Sequence, residues 1–210
     1  PKDIINTFGG WPFPVKTDPI DEKFKFVKHL KLMLGKKGST YFLNWLTYCI
    51  KVPDRKQPMI ILYGESQIGK STVEVLISKL FGAYSTVLTA GFKAVAGEFN
   101  ALAQNKLMTF VNEANDNNQA VFDIETLKSL ITDVKLPLRK MRQDADDSNR
   151  NYSKYIVATN HLNSIPTTRD TKKRLSWLKC SDNDVGGRDK AYYDALYKDM
   201  EDDAITARFF

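Results

Sequence analysis

Apolar residues first fall at helical spacing at Phe24, Val27, Leu30 and Leu34, which predicts a helix over 21–34 ended by Gly35. A second helix is predicted over 39–50, with Phe42, Leu43, Trp45, Leu46 and Cys49 as its apolar positions. Pro53 and Pro58 bound a polar connector, 51–58. Beyond it the pattern changes. Short apolar runs of strand length, at 59–63, 85–88, 107–111, 155–158 and 175–178, alternate with helical patterns at 70–81, 93–102 and 121–131. The last of these helices carries Phe122, Leu127, Leu130 and Ile131. Such alternation predicts an α/β sheet with helices on its faces. An acidic and aromatic stretch, 189–200, reads as a closing helix, and no internal repeat interrupts the order. Ahead of it all, residues 1–19 are rich in Gly, Pro and aromatics and read as an irregular arm, pinned to a neighbouring surface by Trp11 and Phe13.

Composition narrows the class. In 210 residues, 42% hydrophobic and 27% charged content leaves enough apolar surface for a core and excludes wholesale disorder. No apolar run approaches the roughly 20 residues of a membrane-spanning helix. Cys49 and Cys180 are isolated, too few and too far apart for a disulfide framework or a zinc site, so a reducing, cytoplasmic setting is expected. The start, Pro-Lys-Asp-Ile, has neither a signal-peptide pattern nor an initiator Met, as expected of a piece of a longer protein. The net charge of +6 fits a polyanionic partner, and equally a solubility device, until the charge is located.

The densest chemistry lies at 64–71. Gly64, Glu65, Ser66, Gln67, Ile68, Gly69, Lys70 and Ser71 match G-x-x-x-x-G-K-[ST] at every fixed position, between a predicted strand and a predicted helix. Two glycines let the backbone curl so that successive N–H groups face phosphate oxygens, and the helix opening there presents its positive end. Lys70 supplies a point charge for the β- and γ-phosphates, Ser71 a hydroxyl for Mg²⁺, and Thr72 closes the stretch. A chance match in a loop is the bland alternative, and the flanking strand and helix weigh against it. The apolar strand at 107–111 runs into Asn112 and Glu113, and Glu113 is the candidate to orient an attacking water and join Ser71 at the metal. Asn112 is an amide, a weaker Mg²⁺ ligand than a carboxylate. The strand at 155–158 runs on to Asn160, an amide able to hydrogen-bond a γ-phosphate.

Basic residues cluster twice. Lys135, Arg139, Lys140 and Arg142 precede a polar turn, and a β-hairpin is expected there, with Arg150 and Lys154 on its returning side; a solvated basic surface is the competing reading. Arg169, Lys172, Lys173 and Arg174 precede the last strand, where Arg174 first, and Arg169 second, is the candidate arginine finger for a neighbouring subunit.

In this order the pieces resemble the superfamily 3 helicases of viruses, phages and plasmids. The nearest likeness is to the helicase part of phage and plasmid primase-helicases, including self-priming phage polymerases with such a C-terminal part. The resemblance covers roughly 59–178, and the lead-in with Trp11-Pro12 and Phe13-Pro14 looks similar too. It implies a P-loop NTPase core of AAA+ type, three-layer α/β/α, preceded by a small helical segment. The expected division is an arm and helical lead-in or collar at 1–57, an ATPase core at 58–185 and a helical tail at 186–210. The resemblance further implies ATP and Mg²⁺, translocation on single-stranded DNA, a homo-oligomeric ring, most often a hexamer, and a primase or polymerase domain in the same longer chain. By it Lys70 and Ser71 bind phosphate and metal, Glu113 activates water, Asn160 is the sensor, and Arg139, Lys140 and Arg142 lie in or near a channel hairpin on DNA. Two departures stand out: Asn112 replaces the more usual acid, and the common paired arginines appear as Lys173-Arg174. The competing function is a nucleotide-gated DNA-binding or assembly module with little intrinsic ATPase. A small-molecule kinase is weaker still, since nothing marks an acceptor pocket or lid.

Overall fold

Each of the five apolar runs becomes a strand, and all five lie parallel in one sheet: β1 Met59–Tyr63, β2 Ser85–Leu88, β3 Met108–Val111, β4 Lys154–Thr159 and β5 Leu175–Lys179. The computed structural model describes residues 8–14, 24–88, 105–112, 124–135, 150–162, 165, 167–181 and 189–209. The strand order is β2-β3-β4-β1-β5, so β1 lies between β4 and β5. Ile60 faces Ile156 on one side and Ser176 on the other, while Phe110 faces Ile156 and Val87.

The two-residue period of the strands divides the core. Ile60, Leu62, Met108, Phe110, Ile156 and Ala158 pack on one face with helices α1 (Lys25–Lys51), α2 (Lys70–Phe81) and α4 (Lys190–Glu201). Met59, Ile61, Val111, Tyr155 and Val157 pack on the other, where α3 (Ile124–Thr132) brings Leu127, Leu130 and Ile131. Central strands buried on both faces are characteristic of a parallel sheet between two helical layers. The architecture is therefore three-layer α/β/α.

The two helices expected at the start abut at Gly35, whose backbone (φ 68°, ψ 173°) is non-helical, and together they make the kinked element α1. The predicted stop residue thus acts as a kink, and Ser39 and Thr40 donate back to the Lys36 carbonyl just beyond it. Trp45 Nε1 donates to Pro58 O at 2.9 Å and fastens the connector to α1. In the arm, Trp11 packs edge-on against Phe81 with ring centroids 5.7 Å apart, and Phe8 meets Tyr84. A short last helix, α5 (Asp203–Phe209), follows α4 within the stretch expected as a helical tail; Asp202 Oδ1 accepts from the Ala204 and Ile205 amides and caps it. Among the described residues no helix is long and apolar enough to cross a membrane. The helix expected over 93–102 lies outside the described residues.

One expectation is overturned. Lys154 does not present charge on a hairpin: it is buried at the first position of β4, and its Nζ donates to the Pro53 carbonyl. Its position in a strand covered on both faces sends the side chain into the connector instead of outward.

Candidate nucleotide-binding site

The carboxyl ends of four neighbouring strands gather the candidate residues: Gly64 after β1, Asn112 after β3, Asn160 after β4 and Cys180 after β5. In open parallel sheets this edge is where ligands bind. Backbone bonds extend the pairing into the loops. Gly64 N donates to Thr159 O at 3.2 Å, Cys180 N to Tyr63 O at 2.8 Å and Asn112 N to Leu88 O at 3.0 Å.

The loop between β1 and α2 requires its two fixed glycines. A Cβ on Gly64 would lie 2.6 Å from the Cys180 carbonyl oxygen and 2.8 Å from Ile68 Cδ1. Gly69, at φ 89° in the left-handed region, would place a Cβ 2.5 Å from His29 Cε1. Gln67 is also left-handed, at φ 62°. Glu65, Ser66 and Gln67 are exposed, whereas the Ile68 side chain is buried beneath the loop. Helix α2 starts at Lys70 with no side-chain cap, so its positive end is turned to the loop, where an anion is favoured.

Lys70 is the centre of the arrangement. Its Nζ donates to Gly64 O and Glu65 O, each at 2.6 Å, and to Asn160 Oδ1 at 2.8 Å. Asn160 Nδ2 in turn donates to Ser66 Oγ at 3.1 Å. The ammonium, nearly buried, thus points into the concave side of its own loop, where a phosphate would meet it. Ser71 is exposed at the start of α2, while Thr72 is buried and its Oγ1 has no hydrogen-bond partner among the described residues. Thr72 therefore belongs to the loop through its backbone, whose N–H donates to Gly69 O at 3.1 Å.

An exposed hydroxyl beside a cationic loop fits one ligand to Mg²⁺, with phosphate oxygens supplying others. Among the described residues no group of three or more His, Cys, Asp or Glu forms a metal cluster. Glu113 lies outside the described residues. Asn112 is described, and its Nδ2 donates to Glu74 Oε2 at 3.1 Å. Burial pushes the Glu74 carboxyl above its ordinary pKa.

Sequence reasoning missed His29. It is fully buried behind the loop, with Nε2 3.4 Å from Gly69 O and Nδ1 3.1 Å from Tyr192 OH. A carbonyl only accepts, so Nε2 carries the proton, and Nδ1 accepts from the tyrosine hydroxyl. Burial pushes the His29 pKa down against the opposing effect of the Gly69 carbonyl. The signal was present: between Phe26 and Met33 at helical spacing, position 29 falls on the buried face of α1. Cys180 flanks the loop with its thiol pushed up to about 12 by burial, against the pull of Lys70, and is inert.

The basic residues lie elsewhere. Leu175 pairs with Met59, so Arg174 sits at the amino end of the sheet, a strand length from Gly64. The five residues of β1 make that roughly 15 Å. Arg174 Nη1 donates to Asp170 O at 2.7 Å, and Arg169 and Lys173 are exposed on the same turn. None of the three is positioned to complete the loop of its own chain. Lys135 and Arg150 form an isolated antiparallel bridge, and Asn151 N donates to Val134 O at 2.8 Å, closing the base of the segment 136–149. Arg139, Lys140 and Arg142 lie within that segment, outside the described residues.

Comparison with known proteins adds the following. The profile of a family described as "Family of unknown function (DUF5906)" matches residues 62–174. No curated protein matches. The apo structure of the NrS-1 C-terminal region (305–718) is similar with a TM-score of 0.74 and 23% identity, covering 94% of this chain and 46% of that one. A second apo structure of that region, the A form, gives 0.73 and 22%, with the same coverage. JCV helicase, solved with a thiazolopyridine-phenoxyphenyl acetamide bound, gives 0.59 and 14%, covering 91% of this chain and 54% of that one. The chain spans about half the length of each of these structures. At such identities the likeness concerns the fold, which is that of a P-loop NTPase core.

Proposed function

We propose, for a chain that belongs to the DUF5906 family of unknown function, that it is the motor part of an ATP-dependent DNA helicase or translocase. It acts on single-stranded DNA in the replication of a virus, phage or plasmid. The observation that carries this reading is the Lys70 arrangement: a lysine at a helix start, inside a glycine-shaped loop, with an amide from the neighbouring strand end at 2.8 Å. A triphosphate entering the loop exchanges the Gly64 and Glu65 carbonyls for phosphate oxygens on Lys70 Nζ, a charge-assisted contact. Asn160, already bonded to Lys70, then stands beside the terminal phosphate as a sensor.

Ser71 holds Mg²⁺ together with Glu113, and the ion, when bound, draws charge from the phosphate oxygens. Glu113 orients the attacking water. Arg174, remote from its own loop, supplies its charge to a neighbouring subunit, as a homo-oligomeric ring of hexamer type requires. Arg139, Lys140 and Arg142, in the segment between Lys135 and Arg150, contact the single strand in the channel. The reading includes a primase or polymerase domain elsewhere in the same longer chain and a host-cytoplasmic setting; that a similar structure is a C-terminal region fits a further domain ahead of it.

A second reading is favoured by Asn112, an amide where such motors commonly carry an acid. It is a nucleotide-gated DNA-binding or assembly module with little intrinsic ATPase. ATP turnover measured with and without a single-stranded oligonucleotide separates the two. A motor shows turnover raised by DNA and abolished, in both conditions, by Lys70→Ala. Nucleotide binding with no DNA-stimulated turnover favours the gated module.

A further inference from the structure

A divalent cation bound with a nucleotide here would meet the end of β3 at an amide, Asn112, although a hard divalent ion prefers carboxylate oxygen. A carboxylate nevertheless reaches this place from another element. Glu74 lies three residues after Ser71 on α2, so the two share one face of that helix. From there its Oε2 accepts from Asn112 Nδ2 at 3.1 Å. The helix thus brings a negative charge to the strand position that lacks one, on the same side as the exposed hydroxyl of Ser71.

We propose that Glu74 supplies a negative charge of its own to the divalent cation of this site, with Asn112 as the residue that positions it. The proposal rests on the nucleotide-site reading above and deepens it. Ser71, phosphate oxygens and a carboxylate from α2 then face the ion, and β3 contributes an orienting amide. The competing role for Glu74 is structural, as an acceptor that satisfies Asn112. The two roles separate cleanly, because a glutamine at 74 keeps an oxygen for the Asn112 amide and removes only the charge.

The test is equilibrium binding of a fluorescent ADP to the full chain at increasing Mg²⁺, with metal-free binding as the reference. In Glu74→Gln, the Mg²⁺ concentration at half-effect rises about 10- to 100-fold, the range of supporting groups at metal sites, while metal-free affinity does not fall, since a negative charge beside the phosphates has been removed. Adding Asn112→Asp to Glu74→Gln returns a carboxylate from the strand side and restores the Mg²⁺ response. An unchanged half-effect concentration in Glu74→Gln overturns the proposal, and so does a double variant no better than the single. Wild-type protein that binds the nucleotide at no Mg²⁺ concentration overturns the nucleotide-site reading itself, an outcome distinct from both.

Discussion

Lys70 and Asn160 stand 90 residues apart in the chain and 2.8 Å apart in space. Parallel pairing of β1 with β4 places their carboxyl ends side by side, so the residue after β4 meets the first residue of the helix after β1. Because Asn160 also donates to Ser66, one amide ties the lysine and the loop tip together. Asn160→Ala removes that tie but leaves the loop glycines and the helix end intact. The expected outcome is nucleotide affinity within a few-fold of wild type and single-turnover hydrolysis slower by about 10²-fold, as when one transition-state donor is lost. Unchanged hydrolysis in this variant removes Asn160 from the chemistry.

Gly69 and His29 form a steric pair. Gly69→Ala places a methyl group 2.5 Å from the imidazole and forces alanine into the left-handed region. The backbone term alone is about 1–2 kcal/mol. Urea unfolding of Gly69→Ala is therefore expected to show a larger loss than that. In a His29→Ala background the same substitution falls back to the backbone term, a non-additivity that measures the contact.

Arg174 sits at the sheet end opposite its own loop, so the proposed finger role would require an interface. Arg174→Ala and Glu113→Gln subunits are each expected to lose turnover. Mixed together they regain part of it, because the Glu113→Gln subunit lends its arginine to a neighbour with an intact Glu113. Mixtures that stay as inactive as their components contradict a shared site.

Lys56 introduces a pH dependence. Its Nζ donates to Leu130 O and Ser153 O, and burial, with the charge of Lys154 nearby, lowers its pKa from 10.5 to about 7 against the pull of Asp133. Between those two values the unfolded chain holds a proton that the folded chain has released, so this group makes stability rise with pH across the window. Thermal unfolding from about pH 7 to pH 10 is expected to show the rise, and Lys56→Met to flatten it relative to wild type. A slope identical in the two proteins removes Lys56 as its source.

The fold was legible where the local pattern and the tertiary need agreed. The five apolar runs are strands because each is long enough only for a strand, with β1, β3 and β4 buried on both faces, and the glycine-shaped loop follows β1 as its spacing demands. Gly35 ends helical geometry as expected of a glycine there, and packing of Leu30, Leu34 and Phe42 into one core sets the second helix directly after it. Lys154 was misread. Its charge suggested a surface, but its register beside Leu107, whose carbonyl accepts from the Lys154 amide, put it inside. At the site, the loop, Lys70 and Asn160 could be chosen from sequence because their chemistry is tied to fixed spacing. His29, Glu74 and Tyr192 act through contacts between distant elements, and spacing along one helix reveals which face they occupy without naming what they meet.

The measurement closest to the central idea is calorimetric binding of a non-hydrolysable ATP analogue, with Mg²⁺, to wild-type protein and to Lys70→Ala. The expected result is saturable binding to the wild type, with one nucleotide per chain, and its loss in the variant while the fold, followed by circular dichroism, is retained. Equal binding by both proteins, or none by either, would contradict the assignment of the loop between Tyr63 and Thr72 as a triphosphate site.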